Sequence, residues 1–228
     1  MSIFQTITTA CPLCQGQVLF ELVHSVNAAR RPDLRSAILD RSFQRKSCPG
    51  CGHSFRMAPE FSYLDVQRKQ FIAVYPAERL AQWPDYEQRA RASFEKAFGA
   101  GSGAEALGAQ LTPRCVFGWG ALNEKLLAAE AGIDDATLEL AKIAVLRSVD
   151  AMTLGDDREF RCVGATADEF IVGWLRTSSE DIDGELGVPR SVLADVQAAP
   201  EGWAELRAQV VGALFVDYQR ALVAPVAA

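Results

Sequence analysis

Histidine is nearly absent: the 228 residues contain only His24 and His53. A Ser/His/Asp triad or a histidine-based metal centre therefore has almost no material to draw on. No run of about 18 uncharged apolar residues occurs, so no transmembrane helix is expected. From Met1 to Phe4 the chain leads into folded-looking sequence. It lacks a basic segment, an apolar core and a small-residue cleavage site, so no secretory signal is expected and a cytoplasmic setting is. Phosphate loops are missing too. Neither the glycines of 99–103 nor Gly118-Trp119-Gly120 are followed by Lys-Ser/Thr or set in a G-x-G-x-x-G pattern after a strand. The acidic run 178–185 lacks the spacing of a Ca²⁺-binding EF-hand loop and reads as a solvated loop.

What is present is an ordinary globular composition, 49% hydrophobic and 23% charged, which excludes a disordered tract. The charge is unevenly spread. Residues 1–80 carry ten Lys/Arg against six Asp/Glu, and residues 81–228 carry thirteen against 23. The change of sign suggests two units, 1–80 and 81–228. Six cysteines without a secretion signal argue against a disulfide framework.

Four of the six form two matched pairs, Cys11-Pro12-Leu13-Cys14 and Cys48-Pro49-Gly50-Cys51. Two cysteines separated by two residues place two thiolates on one tight turn, and two such turns complete a tetrahedron around a metal at about 2.3 Å. Proline at the second position pre-sets φ, and Gly52 after the second pair allows a positive φ. The first pair is looser, with its glycine one place later at Gly16. The 33 residues between Cys14 and Cys48 exceed the roughly 15–20 of a short zinc ribbon. Cys11, Cys14, Cys48 and Cys51 are thus expected to hold one structural Zn²⁺. A four-thiolate iron site has the same local geometry, and idle thiols are the bland alternative. A thioredoxin-like redox pair would have to open a helix after a strand, twice over. A closed four-thiolate site leaves no open position for water, so chemistry at the metal is not expected.

The paired Cys-Pro-x-Cys motifs, the long gap and the strands that follow resemble the bacterial and archaeal CpXC domain family over roughly residues 5–125. The resemblance implies a zinc-ribbon-like metal-binding module. It implies no activity, substrate or catalytic residue, and nothing is carried over beyond the four cysteines.

The remaining candidates are weaker. Arg30, Arg31, Arg35, Arg41, Arg45 and Lys46 cluster between the two cysteine pairs, with Phe43 and Phe55 nearby. Such a cluster on a zinc-ribbon scaffold can bind nucleic-acid phosphates, but the sequence pI is about 5.1 and a solvated helix face is the plainer reading. His53 is a neighbour of the metal rather than a fifth ligand, and His24 is a strand residue. Cys162 reads as a small buried hydrophobe, and neither it nor Cys115 sits in a nucleophile context.

Periodicity places strands over 5–10 and 17–26 and two more over 54–57 and 61–74, with Phe61, Tyr63 and Asp65 on one face and Phe71, Ala73 and Tyr75 on a later one, and a short helix from Pro32 or Asp33 through Leu39. Helices follow from Asp85 to Gly99, from Leu122 to Gly132 and after a cap at Asp134. A hairpin is expected from 159–162 and 169–175. A helix begins at Pro189, and a last one near Pro200 carries Trp203, Leu206, Val210, Leu214 and Tyr218. The expected fold is α+β: an N-terminal zinc-ribbon-like antiparallel β domain with a short helical insert, then a mainly helical acidic region with one β-hairpin. The expected role is a non-enzymatic module that binds another protein. Nucleic-acid binding through the basic insert is the alternative, and an enzyme site in the helical region is disfavoured for want of a motif.

Overall fold

The computed structural model describes residues 2–149 and 157–225. Strand β1 (Ile3–Ala10) pairs antiparallel with β2 (Gln17–Asn27), the two joined by the first cysteine turn. Alternation buries Val18 and Phe20. The inward set then changes phase to Val23 and Val26, beside a register shift at Ile3/Phe4. Helix α1 (Pro32–Leu39) starts on proline and buries Leu34 and Ile38. A small hairpin of β3 (Arg45–Ser47) and β4 (Ser54–Arg56) carries the second cysteine pair at its tip. Strands β5 (Phe61–Asp65) and β6 (Gln70–Tyr75) form a second antiparallel pair. Helix α2 (Trp83–Phe98), the short α3 (Glu105–Gly108) and β7 (Thr112–Phe117) follow.

These strands form one five-stranded sheet in the order β1-β2-β5-β6-β7. The expectation of an antiparallel sheet is corrected here, because β2–β5 and β6–β7 run parallel. Parallel neighbours require a long crossover. The two long connections supply it: 28–60, which contains α1 and the metal hairpin, and 76–111, which contains α2 and α3. Because β7 completes the sheet, the boundary expected at residue 80 runs through this unit.

Helix α4 (Gly118–Glu130) leaves β7 directly, and its Trp119, Leu122 and Leu126 join α1 in covering one sheet face, against Val26, Tyr63, Ile72 and Val74. The opposite face, with Phe71, Ala73, Cys115 and Phe117, is covered by Tyr86 and Ala90 of α2 and by Leu214 and Phe215. After Gly132, helix α5 (Asp135–Ser148) is capped as expected, with the Asp134 carboxylate accepting from the Thr137 amide at 2.9 Å.

The C-terminal region holds more strand than a hairpin. The expected pair is present as β8 (Arg158–Ala165) and β9 (Glu169–Arg176), and a third strand, β10 (Ile182–Pro189), extends it to an antiparallel sheet. Half of the acidic stretch read as a loop is thus strand. Pro189 closes β10 rather than opening a helix, and α6 (Ser191–Ala198) follows. The last expected helix is broken. Residues 200–203 form a 3₁₀ turn, α7 (Ala204–Val210) ends at Val210, and α8 (Gln219–Leu222) is a single turn. Between them the chain folds back through a Val211–Val216 bridge, and the Cys115 amide donates to the Leu214 carbonyl at 3.0 Å. Of the apolar residues at spacings of three and four, Leu206 and Val210 thus lie on α7, whereas Leu214 belongs to the folded-back segment covering the β7 edge and Tyr218 leads into α8. No helix of the described residues is long and apolar enough to cross a membrane.

Candidate metal centre

The two cysteine turns are built alike. The Cys11 amide donates to the Gly16 carbonyl and the Gln15 amide to the Cys11 carbonyl, at 2.8 and 2.9 Å. The Cys48 amide donates to His53 and the Gly52 amide to Cys48 at the same two distances. The equivalent fifth positions, Gln15 and Gly52, both take left-handed backbone, at φ 60° and 75°. Glycine meets that demand freely in the second turn, while Gln15 meets it at a cost. Gly16 serves a different purpose: a Cβ there would lie 3.2 Å from the Cys14 sulfur.

The four Sγ atoms lie within 4.8 Å of one another. Cys11 and Cys51 are 3.7 Å apart and Cys14 and Cys48 3.6 Å, across the two turns. A disulfide would bring the sulfurs to about 2.05 Å, whereas a tetrahedron with arms of about 2.3 Å has edges of about 3.8 Å. The sulfurs are therefore spaced for a metal ion, and Cys11, Cys14, Cys48 and Cys51 would hold it. Their electrostatics agree. The Cys51 and Gly50 amides draw Cys48 down to about 7. Cys51 accepts from the His53 amide, which lowers it, but the sulfurs of Cys14, Cys11 and Cys48 together with burial push it up to about 12. Four thiolates at this spacing need a cation between them. Cys11 and Cys48 are buried on Val18 and Phe20, with Ile7, Phe55 and Met57 around them, and Cys14 and Cys51 face solvent.

The other sequence candidates fall elsewhere. The His53 ring stacks on Phe55 with centroids 6.3 Å apart, and His24 Nε2 is 2.8 Å from Gln5 Oε1. Neither belongs to the sulfur cluster. Cys115 and Cys162 are buried. Desolvation raises both thiols, Cys162 to about 12, which leaves them inert packing residues. The basic insert does not present one surface. Arg30 is exposed in the turn after β2, Arg31 forks onto Asp33, and Arg35 pairs with Glu130. Arg41 and Arg45 turn the other way, toward Glu180, and Lys46 donates to the Leu19 carbonyl beside the Phe20 ring.

Sequence reasoning missed a buried ionic network. Glu124 and Lys125 of α4, Glu139 and Lys142 of α5, Arg161 of β8 and Asp217 are all at most 3% exposed. Lys142 Nζ lies 2.7 Å from Glu124 and 2.9 Å from Glu139, and Arg161 reaches Asp217 at 2.5 Å and Glu124 at 3.2 Å. Lys125 donates to the Val216 carbonyl at 2.6 Å, and Glu139 accepts from the Tyr218 amide at 2.9 Å. Three carboxylates, Glu124, Glu139 and Asp217, converge closely enough to hold a cation, and the Lys142 ammonium already stands between two of them. The signal was available in α4 and α5. Both are apolar on nearly every face, so charges on them have to be buried.

Two outcomes follow. Cys48→Ser should lose the bound metal and, with it, cooperative unfolding of the N-terminal part, read by metal analysis and thermal melting, because metal binding in small thiolate modules contributes on the order of 10 kcal/mol or more. Metal-free wild type that melts like metal-loaded protein would contradict the site. In the network, burial opposes ionisation of Asp135, but Lys125 and Arg114 outweigh it and hold the carboxyl well below its ordinary value. A depressed carboxyl contributes stability that is full above its unfolded value and is lost as pH falls through the folded one. Asp135→Asn should therefore cost about 3–5 kcal/mol in urea unfolding at neutral pH, with a loss that shrinks below about pH 4.

A family model described as CpXC protein matches residues 9–142, more than half of the chain. No curated protein and no solved structure matches it. The match spans both cysteine turns, strands β2, β5, β6 and β7 of the five-stranded sheet and the first part of α5, and takes in only the end of β1. With four sulfurs spaced for one metal ion inside that span, the chain belongs to the CpXC protein family.

Proposed function

We propose that this chain is a non-enzymatic binding module, held together at its N-terminal part by one structural Zn²⁺, that docks another protein along the free edge of its sheet. The four-thiolate set supports the structural role of the metal, since zinc with four protein ligands has no position left for water or substrate. Softness favours zinc or iron over harder cations, and a closed thiolate site on two turns is the usual zinc arrangement.

One observation carries the docking surface. Strand β1 is the terminal strand of the five-stranded sheet, and its eight residues, Ile-Phe-Gln-Thr-Ile-Thr-Thr-Ala, carry no charge and no proline. Ile3 is 56% exposed and Leu19 on the neighbouring strand 58%. Folded proteins usually blunt such edges with charge, bulges or a covering segment. Here the opposite edge is treated that way, with Leu214 hydrogen-bonded to β7. An uncharged edge left open suits addition of a partner strand, in which backbone hydrogen bonds give affinity and alternate side chains give specificity. Nucleic-acid binding by Arg30, Arg31, Arg35, Arg41, Arg45 and Lys46 has less behind it, because Arg31, Arg35, Arg41, Arg45 and Lys46 are already engaged by acceptors of the protein.

The reading is tested by a tagged pull-down from the native host with Thr6→Lys/Thr8→Lys protein. The double variant should keep its zinc, one ion per chain by elemental analysis, and lose its specific partner. An unchanged partner set, or iron in place of zinc, would count against the respective half of the reading.

A further inference from the structure

A cleft of about 610 Å³ opens between the metal hairpin and the turn that joins β9 to β10. Arg45, His53 and Arg56 line it on the hairpin side, and Ser178, Ser179 and Glu180 on the turn. At its other end are Glu78 and Glu159, around the first residues of α4, with Gly118, Trp119 and Gly120 as the floor. The cleft is therefore lined by both signs of charge, arginines from the hairpin and carboxylates beside the start of α4.

The positive end is out of balance. Arg56 Nη1 and Arg45 Nη2 each reach a carboxylate oxygen of Glu180, the latter at 3.5 Å, and Arg41 donates to the Glu180 carbonyl. Asp40 adds a charge near Arg56. Three guanidinium groups thus face two carboxylates. The Arg56 side chain is 4% exposed, sits 3.6 Å from the centre of the Trp119 ring, and donates from its Nε to the Phe43 carbonyl, yet its Nη2 has no acceptor among the described residues. A buried charged donor without a partner is costly. Desolvation outweighs Glu180 and draws the Arg56 guanidinium down to about 10. Glu180 reaches the arginines from a strained position, a non-glycine residue at φ 64° in a hairpin turn.

We propose that this cleft binds a small zwitterion of amino-acid or short-peptide size, whose carboxylate replaces that of Glu180 on Arg45 and Arg56 and whose ammonium lies toward Glu78 and Glu159. The Glu180 carboxylate is the same chemical group on the same two arginines, so it marks what the clamp accepts and acts as a built-in competitor. Its release relaxes a left-handed turn. A ligand carboxylate brings a second acceptor within reach of Arg56 Nη2 as the turn shifts. At the other end Glu159 Oε2 accepts from Arg161 Nε at 2.6 Å, and the carboxyl borders the cleft. A polyanion would meet Glu78 and Glu159 with like charge, and a simple cation would meet Arg45 and Arg56. Only a ligand of both signs suits both ends, and the volume falls in the usual range for small-ligand sites, about 300–1,000 Å³.

The test is calorimetric titration of the full metal-loaded chain with triglycine, triglycinamide, N-acetyltriglycine and inorganic phosphate. Triglycine should bind saturably, and blocking either terminus should weaken it at least tenfold, as loss of a charge-assisted hydrogen bond does. Arg45→Ala, at a partly exposed position, should keep its fold by circular dichroism and weaken triglycine at least tenfold. Glu180→Gln removes the competitor's charge and should tighten it several-fold. No saturable binding by either wild type or the Glu180→Gln protein would overturn the proposal, as would triglycinamide or phosphate binding as tightly as triglycine. The result stands apart from the β1 pull-down, whose failure leaves these titrations unchanged.

Discussion

Four sulfur atoms within 4.8 Å of one another repel as thiolates and are poorly placed as thiols, so they demand a cation between them. Around that demand the N-terminal part is arranged. The two turns that present the sulfurs stand at the end of β1 and at the tip of the β3–β4 hairpin, and only a small apolar set, Val18 and Phe20 with Ile7, Phe55 and Met57, packs beneath them. Few buried side chains hold the β3–β4 hairpin to the β1–β2 arm, so a metal ion held by the four sulfurs would supply a bond that apolar contact there does not. The same hairpin places Arg45, His53 and Arg56 along the cleft, so a metal that fixed the hairpin would also fix the shape of the cleft.

A second constraint joins the family-matched part to the rest of the chain. Glu124, Lys125, Glu139 and Lys142 lie within residues 9–142, while Arg161 and Asp217 lie outside. Each is buried, and the two parts are joined where Arg161 meets Glu124, where Lys125 donates to the Val216 carbonyl and where the Tyr218 amide donates to Glu139. Buried charges specify their arrangement sharply, since any partner left out strands an ion in the interior. Strand β8 and the segment 211–219 are thereby tied to α4 and α5, and the turn bearing Glu180 is brought over the arginines of the metal hairpin. Both the cleft and the network need residues that the family match does not include.

Much of this was legible before any coordinates. The four ligands, the positive φ of Gly52, the cap at Asp134 and the pairing of β8 with β9 each rest on local chemistry, a turn, a side-chain oxygen or a two-residue alternation, and local chemistry is written in neighbouring residues. The parallel pairs, β10 and the break after Val210 were not, because each depends on a segment distant in the chain. Leu214 and Tyr218 have helical spacing to Val210. Both are buried off the line of α7, because the β7 edge takes the Leu214 carbonyl and the Glu139 carboxylate takes the Tyr218 amide, which are better partners than another helical turn.

By itself, then, the sequence determined which four cysteines come close enough to hold one metal ion. Ligand spacing and residue type are properties of the chain, and they suffice for that. The fate of the charges was decided only by the tertiary structure. Arg35, Arg41 and Arg45 look alike along the basic insert. One pairs with Glu130 and two turn to Glu180, because an ion's partner is chosen by proximity in space, and the residues that neutralise these three lie 95 to 139 positions away.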